Sequence, residues 1–244
     1  IPVSNIFAHM DTTLMVKELT NHASKLNGRE LVLSSRSPRR RSIIKVLDIP
    51  TTLFDPKDQE EDPHELESAP QYVNRISLQK AQQAVSKFCD AVIIGVDTTV
   101  VLNKTIFGKP KNPSVALSML ETLSNRTHHV ITGITMIDTR LRRILTASTS
   151  TEISMRKYST EEIVSYISSG DTFDKAGGYA IQNDVFNPVR EFQGCYLNVV
   201  GLPICTLTNM LKNLGIQVGV DFTKLSYQPC LSCIPSDFQE SFLS

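Results

Sequence analysis

The sequence has no run of about eighteen apolar residues, the minimum for a membrane-spanning helix, so no membrane partner is expected. It has no excess of either charge: 25 Lys and Arg balance 25 Asp and Glu. That balance removes the overall field that draws a chain to nucleic acid or to an anionic bilayer. Any basic site must be local. Cysteine is sparse, five in 244 residues, and the odd count without framework spacing predicts thiols in a reducing, cytoplasmic setting. Cys230 and Cys233 form a C-x-x-C pair, but no second pair or histidine couple with zinc-ligand spacing accompanies it, so a metal or redox role there is the minor reading. The first ten residues lack the basic start and long apolar stretch of a secretory signal. Neither G-x-x-x-x-G-K-[ST] nor G-x-G-x-x-G occurs, which excludes a P-loop NTPase and a dinucleotide-binding Rossmann protein.

What is present is length enough for a sizeable core, in one domain or two closely joined lobes. The organising stretch is Leu31 to Leu47, LVLSSRSPRRRSIIKVL. Leu31-Val32-Leu33 reads as a short buried strand. Ser37 is a good N-cap, Pro38 a good first helical residue, and Ile43, Ile44 and Leu47 give the helix one apolar face. Arg39, Arg40 and Arg41 fall in its first turn, where cations oppose the helix dipole unless an external anion joins them. The stretch therefore reads as a phosphate site, against the plainer alternative of three solvated arginines.

Leu14 to Leu26 has helical spacing and stops at Asn27-Gly28. Thr51 to Phe54 is a second strand, and the acidic loop Asp58-Gln59-Glu60-Glu61-Asp62-Pro63 follows closely enough to reach a shared cleft. A long helix is predicted from Pro70 to about Phe88, with Lys80 on its otherwise apolar stripe; the ammonium either snorkels to the edge or, as favoured here, meets an anion in a cleft. Ala91 to Val96 is the most strand-like run, and Asp97 follows at its carboxyl end, where open α/β sheets put their chemistry. Val100 to Phe107 reads as a hairpin around Asn103-Lys104 that delivers Gly108-Lys109-Pro110. Ser114 to Leu123 is the next helix. His128 to Ile134 and Ile144 to Ile153 are strands, the two histidines hydrogen bonding rather than binding metal. Ser159 to Glu162 is a capping box for a helix that Gly170 ends. The loop Asp174 to Gln182 carries a carboxylate, an amine, a phenol and an amide. Cys195 to Val200 reads as a strand, Pro203 opens a last helix that stops at Gly215, and no structure is assigned beyond about Val220. Alternating strands and helices with one hairpin predict an α/β fold on a mixed sheet.

Arg39 and Arg40, Lys80, and Lys109 are fixed cations on three separate segments, and Lys175 is a possible fourth. A substrate with several phosphates suits that number better than a single carboxylate. Asp97 with Glu60 or Glu61 offers ligands for a divalent metal and a means of activating water. Hydrolysis of a phosphoanhydride needs little more than charge neutralisation and a positioned nucleophile.

The motifs S-x-S-P-R-R at Ser35 to Arg40, the Lys80-Ala81 helix, G-x-D-T at Gly95 to Thr98, G-K-P at Gly108 to Pro110, L-S-x-R-x-H at Leu123 to His128, D-K-A-G-x-Y-x-I-Q at Asp174 to Gln182 and N-V-V-G-L-P at Asn198 to Pro203 occur in this order. The set resembles the Maf family of nucleotide pyrophosphatases, over about Leu31 to Gly215. The resemblance implies a mixed central sheet flanked by helices, two lobes around a nucleotide-binding cleft like that of inosine triphosphate pyrophosphatases, and a homodimer. It divides the chain into an N-terminal extension at residues 1–29, the Maf-like domain at 30–218 and a C-terminal tail at 219–244. It implies hydrolysis of a nucleoside triphosphate between the α and β phosphates with Mg2+ or Mn2+. By motif, Asp97 is similar to the family's general base, Ser37, Arg39, Lys80 and Lys109 to its phosphate-binding set, and Gln182 to its active-site amide. The family's acidic residue falls on Glu60, a metal ligand beside Asp97, with Glu61 one step away.

One subgroup of the family carries Ser-Pro-Arg-Arg, Asp-Thr and Asp-Lys-Ala-Gly-x-Tyr and acts on dTTP, UTP and modified pyrimidine triphosphates; a sister subgroup prefers 7-methyl-GTP. This sequence has the first set at Arg39, Thr98, Asp174-Lys175 and Tyr179, so a pyrimidine triphosphate substrate is expected. It departs from the motif at Asn125, where glycine is usual, and at Asn183-Asp184-Val185. The alternative from another class is a nucleotide-binding module without turnover, linked to division arrest; a carboxylate at Asp97 argues for the enzyme, because anion binding alone is hindered by one. Nucleic-acid binding through Arg39 to Arg41 finds no support in a net charge of zero and no aromatic-interleaved basic surface.

Overall fold

The computed structural model describes residues 26–57 and 62–225. The expected helix before Leu26, both Glu60 and Glu61, and the C-x-x-C pair lie outside the described residues.

Strand β1 (Glu30–Ser34) runs parallel to β2 (Thr51–Phe54) on one side and to β3 (Ala91–Leu102) on the other. From β3 onward the sheet is antiparallel, through β5 (Thr127–Asp138), β6 (Arg143–Met155) and β7 (Val189–Gln193). The order is β2-β1-β3-β5-β6-β7, with β4 (Thr105–Phe107) pairing the far end of β3. This is a mixed seven-stranded sheet, as the alternation of elements and the hairpin predicted. The hairpin turns at Asn103 and Lys104, both with positive φ, as a two-residue loop between right-twisted strands requires.

Strands β3 and β5 are long enough to serve two cores. On one sheet face Val92, Ile94 and Val96 pack with Leu33, Leu197, Leu207 and Leu211, while Val100 and Leu102, further along β3, pack with Leu120, Leu123, Tyr158 and Tyr166. Thr98 falls between the two apolar groups on the same face. On the opposite face lies helix α2 (Ala69–Val85), whose Ala81 and Ala84 meet Val32 and Ile93. Two glycines let α2 approach: a Cβ at Gly95 would run into the Ser77 carbonyl and Ala81, and one at Gly133 into the Val73 backbone and Asn74. The other α-helices among the described residues are α1 (Pro38–Ile43), α3 (Pro113–Leu123), α4 (Thr160–Ser168), α5 (Tyr196–Val200) and α6 (Ile204–Asn213).

Several expectations change. Asp97 does not end its strand: β3 continues to Leu102 because antiparallel β5 pairs it as far as Val101. The parallel partner β1 does stop, at Ser34 opposite Gly95, so Asp97 lies just past the carboxyl end of β1. Cys195 to Val200 is a turn of helix, not a strand. Buried Asn198 fixes it there, its Nδ2 donating to the Val130 carbonyl and to Thr151 Oγ1; these tertiary bonds override the β-branched composition. The first helix closes after six residues and passes into a 3-10 turn at Ile44–Val46. Strand β7 has no counterpart in the sequence pattern and forms on the edge of β6. After Val220 the chain still packs, with Phe222 and Leu225 against the core and a 3-10 turn at Phe222–Lys224 capped by Asp221. Among the described residues no helix is long and apolar enough to cross a membrane.

Candidate active site

The seam between the two cores opens as a cleft of about 410 Å3. Ser37, Arg39, Arg40, Lys80, Asp97, Thr98, Lys109, Lys175 and Gln182 all line it, so every expected site residue within the described chain converges on one place. At its floor Lys80 Nζ donates to Asp97 Oδ1 at 2.6 Å. The two side chains are 20 % and 14 % exposed, enclosed enough for a strong pair yet reachable by a small molecule. Lys80 reaches Asp97 because the glycine-lined approach of α2 brings this turn of the helix onto β3.

The three arginines of α1 go three ways. Ser37 caps the helix, its side chain accepting from the Arg40 N–H. Arg39 reaches across the cleft and donates to the Asp174 carboxylate at 2.7 Å and to the Asp174 carbonyl. Arg40 turns inward, donating from Nε to the Gly201 carbonyl at 2.8 Å, from Nη1 to the Val96 carbonyl at 3.0 Å and from Nη2 to Thr98 Oγ1 at 2.8 Å. Burial pushes its pKa down to about 10, with Asp97 opposing and Arg39 adding to the shift. Arg41 points away from the cleft, onto Asp55 and the Ser35 carbonyl. The alternative of three solvated arginines therefore does not hold.

The Asp174 to Gln182 loop forms the opposite wall. Lys175 Nζ donates to Asp171 and Asp174 at 2.7 and 2.6 Å, giving a continuous chain of charge Arg39–Asp174–Lys175–Asp171. Burial works against the charge on both aspartates, but Lys175, helped by Arg39 at Asp174 and by Asn183 at Asp171, outweighs it and holds both carboxyls below their ordinary range. The Gly177 N–H donates to the Gly108 carbonyl, tying this loop to the segment that carries Lys109. Lys109 itself is exposed at the rim. Behind the wall, His128 Nε2 and the Tyr179 hydroxyl share a 2.7 Å hydrogen bond, the bonding role expected of His128.

Sequence reasoning missed Tyr72 as part of the cleft. Burial, reinforced by Asp97, pushes its phenol up to about 12, so it stays a neutral donor. Its position four residues before Ile76 on the α2 stripe was the available signal. Asp62, at the end of the acidic loop, also lines the cleft. Among the described residues there is no group of three or more His, Cys, Asp or Glu side chains placed to hold a metal.

A family model described as Maf-like protein matches residues 30–214. The chain belongs to the Maf-like family. Relatives include a protein of Dictyoglomus turgidum, 36 % identical over 187 residues that cover 77 % of this chain and 97 % of the relative. One of Ruminiclostridium cellulolyticum is 38 % identical over 191 residues, covering 78 % and 98 %, and one of Thermomicrobium roseum is 38 % identical over 204 residues, covering 83 % and 92 %. All three are named dTTP/UTP pyrophosphatase. At Asn125, where the resemblance led to an expectation of glycine, φ is 54°, a left-handed conformation that asparagine accepts more readily than most side chains.

Proposed function

We propose that this Maf-like chain is a cytoplasmic nucleoside triphosphate pyrophosphatase that converts dTTP and UTP to the monophosphate and pyrophosphate. The observation that carries the reading is the Lys80–Asp97 pair at the floor of a cleft ringed by cations from separate segments. A carboxylate set among phosphate-binding groups opposes ground-state anion binding, which suits a proton acceptor better than a group that only holds phosphate. In this mechanism Asp97 takes a proton from water as the water oxygen bonds to the α-phosphorus. The bond from the α-phosphorus to the bridging oxygen breaks, and that oxygen leaves with the electron pair as pyrophosphate. Lys80, Lys109, Arg39 and the Ser37 helix start offset the charge on the phosphates, while Gln182, Thr98 and Lys175 line the remaining walls.

The donor chemistry fits a hard divalent cation such as Mg2+ or Mn2+. Such an ion is held by one or two carboxylates together with substrate phosphate oxygens and water, without an all-protein cage, and Asp97 and Asp62 both line the cleft. Bound there, the cation would neutralise phosphate charge. The working unit in this reading is a homodimer, which sedimentation at assay concentration checks.

The test is pyrophosphate release from dTTP, UTP, CTP, ATP and 7-methyl-GTP with Mg2+ or Mn2+. Turnover of dTTP and UTP at least tenfold above 7-methyl-GTP is expected. Good turnover of 7-methyl-GTP with dTTP and UTP untouched would overturn the substrate assignment, and tight nucleotide binding without pyrophosphate from any of the five would overturn the enzyme.

A further inference from the structure

Arg40 stands beside Arg39 in a cleft lined by cations, yet its guanidinium faces protein on three sides. The residue is 9 % exposed. Its acceptors come from two separate segments: the Val96 carbonyl and Thr98 Oγ1 on β3, and the Gly201 carbonyl after α5. Val96 and Thr98 are the immediate neighbours of Asp97. The Val96 carbonyl belongs to the peptide group that carries the Asp97 N–H, so Arg40 fixes that peptide plane directly. Thr98 Oγ1 in turn shares a 2.9 Å bond with Thr132 Oγ1, which donates to the Asn198 carbonyl. Strand alternation puts Val96 and Thr98 on one face and Asp97 on the other, so Arg40 grips the strand from behind while Lys80 meets the carboxylate in front.

Resting on the activity proposed above, we infer that Arg40 is a positioning residue that holds the Val96–Thr98 segment, and through it the Asp97 carboxylate, rather than a phosphate ligand. Arginine is suited to this task because one planar fork reaches acceptors on three sides, which a lysine ammonium does not. Gly201 packs directly on this fork: a Cβ there would lie in ordinary contact with Arg40 Nε and Thr98 Oγ1, at 3.4 and 3.5 Å, and it is the backbone, with φ at 121°, that favours glycine.

The test compares wild type, Arg40→Lys, Thr98→Val and the double variant by steady-state kinetics on dTTP and by calorimetric binding of a non-hydrolysable α,β-methylene dUTP analogue, with thermal unfolding as the check of folding. Misplacing a reacting group by about 1 Å costs on the order of a hundredfold in rate. Arg40→Lys is accordingly expected to lower kcat about 10- to 100-fold with KM and analogue Kd within about twofold. Thr98→Val is expected to lower kcat in the same direction, and the two losses in the double variant to fall short of their product, since both cut one connection. Lysine keeps the charge but loses the bidentate fork that grips a phosphate, so a phosphate role predicts a different split: kcat near wild type with KM and Kd raised tenfold or more. That result would overturn the assignment. If Arg40→Lys does not fold, Thr98→Val decides alone: lowered kcat at unchanged Kd supports the assignment, and wild-type kcat overturns it. If the wild type releases no pyrophosphate, the proposed activity fails, and analogue binding still decides whether Arg40 is a ligand: unchanged Kd in Arg40→Lys upholds the inference and tenfold weaker binding ends it.

Discussion

Lys80 Nζ and Asp97 Oδ1 stand 2.6 Å apart, joining the middle of helix α2 to the middle of strand β3. Each is the other's counter-ion. In the proposed mechanism a triphosphate gives the ammonium phosphate oxygens to serve as well and leaves the carboxylate free to accept a proton. Lys80→Met removes the cation and leaves Asp97 unpaired. Losing one preorganised donor to developing charge costs about 100- to 1000-fold in rate, and kcat/KM for dTTP should fall by that amount. Steady-state kinetics checks it; a loss below about threefold would mean that Lys80 is only a structural partner.

The close crossing of α2 over the sheet is set by Gly95. A methyl group there would enter the Ser77 carbonyl, the Ala81 N–H and the Ala81 side chain. None of these is the far end of a flexible side chain. Gly95→Ala is expected to destabilise the protein by about 3 kcal/mol or more, in the range of overpacked cores, whereas Gly108→Ala, with nothing within 4 Å, should stay within about 0.5 kcal/mol. Urea unfolding of the two variants side by side checks the contrast, and equal stabilities would contradict the packing argument.

His128 is buried and hydrogen-bonded to Tyr179, and its Nδ1 has no partner. Burial, with a smaller contribution from His129, lowers its pKa from 6.5 to about 4. The unfolded chain therefore binds the proton first. The stability this neutral histidine supports is complete above pH 6.5 and is lost as the pH falls toward 4, by about 2 kcal/mol between pH 7 and pH 5. Depressed carboxyls such as Glu67, held at about 2 mainly by its hydrogen bonds from Arg75, act in the same direction, so the measurement is a difference. His128→Gln should flatten the pH dependence of urea unfolding over that window relative to wild type. An unchanged slope would show that His128 does not carry it.

Local chemistry made much of this fold legible from the sequence. Ser37-Pro38 and the Ser159–Glu162 box define helix starts through bonds to their own backbone, and such signals do not depend on distant residues. The hairpin at Asn103-Lys104 was readable for the same reason. Convergence of Lys80, Asp97 and Lys109 was legible only as chemistry, a set of cations and one carboxylate that suits phosphates. What escaped was decided by distant partners. The Cys195 to Val200 run is helical because Asn198 reaches Val130 and Thr151. Strand β7, largely exposed and polar, owes its existence to the edge of β6. The fates of Arg39, Arg40 and Arg41 depend on Asp174, Gly201 and Asp55, none of them near in sequence.

The central claim is that Asp97 activates the water that cleaves the nucleotide, and Asp97→Asn tests it most directly. The amide keeps the size of the side chain and removes its capacity to take a proton. Pyrophosphate release from dTTP in single-turnover experiments should drop about a thousandfold, while α,β-methylene dUTP binds as well as to wild type or better, because a negative charge has left the phosphate site. A variant that releases pyrophosphate within about tenfold of the wild-type rate would contradict the account and move the proton acceptor elsewhere in the cleft.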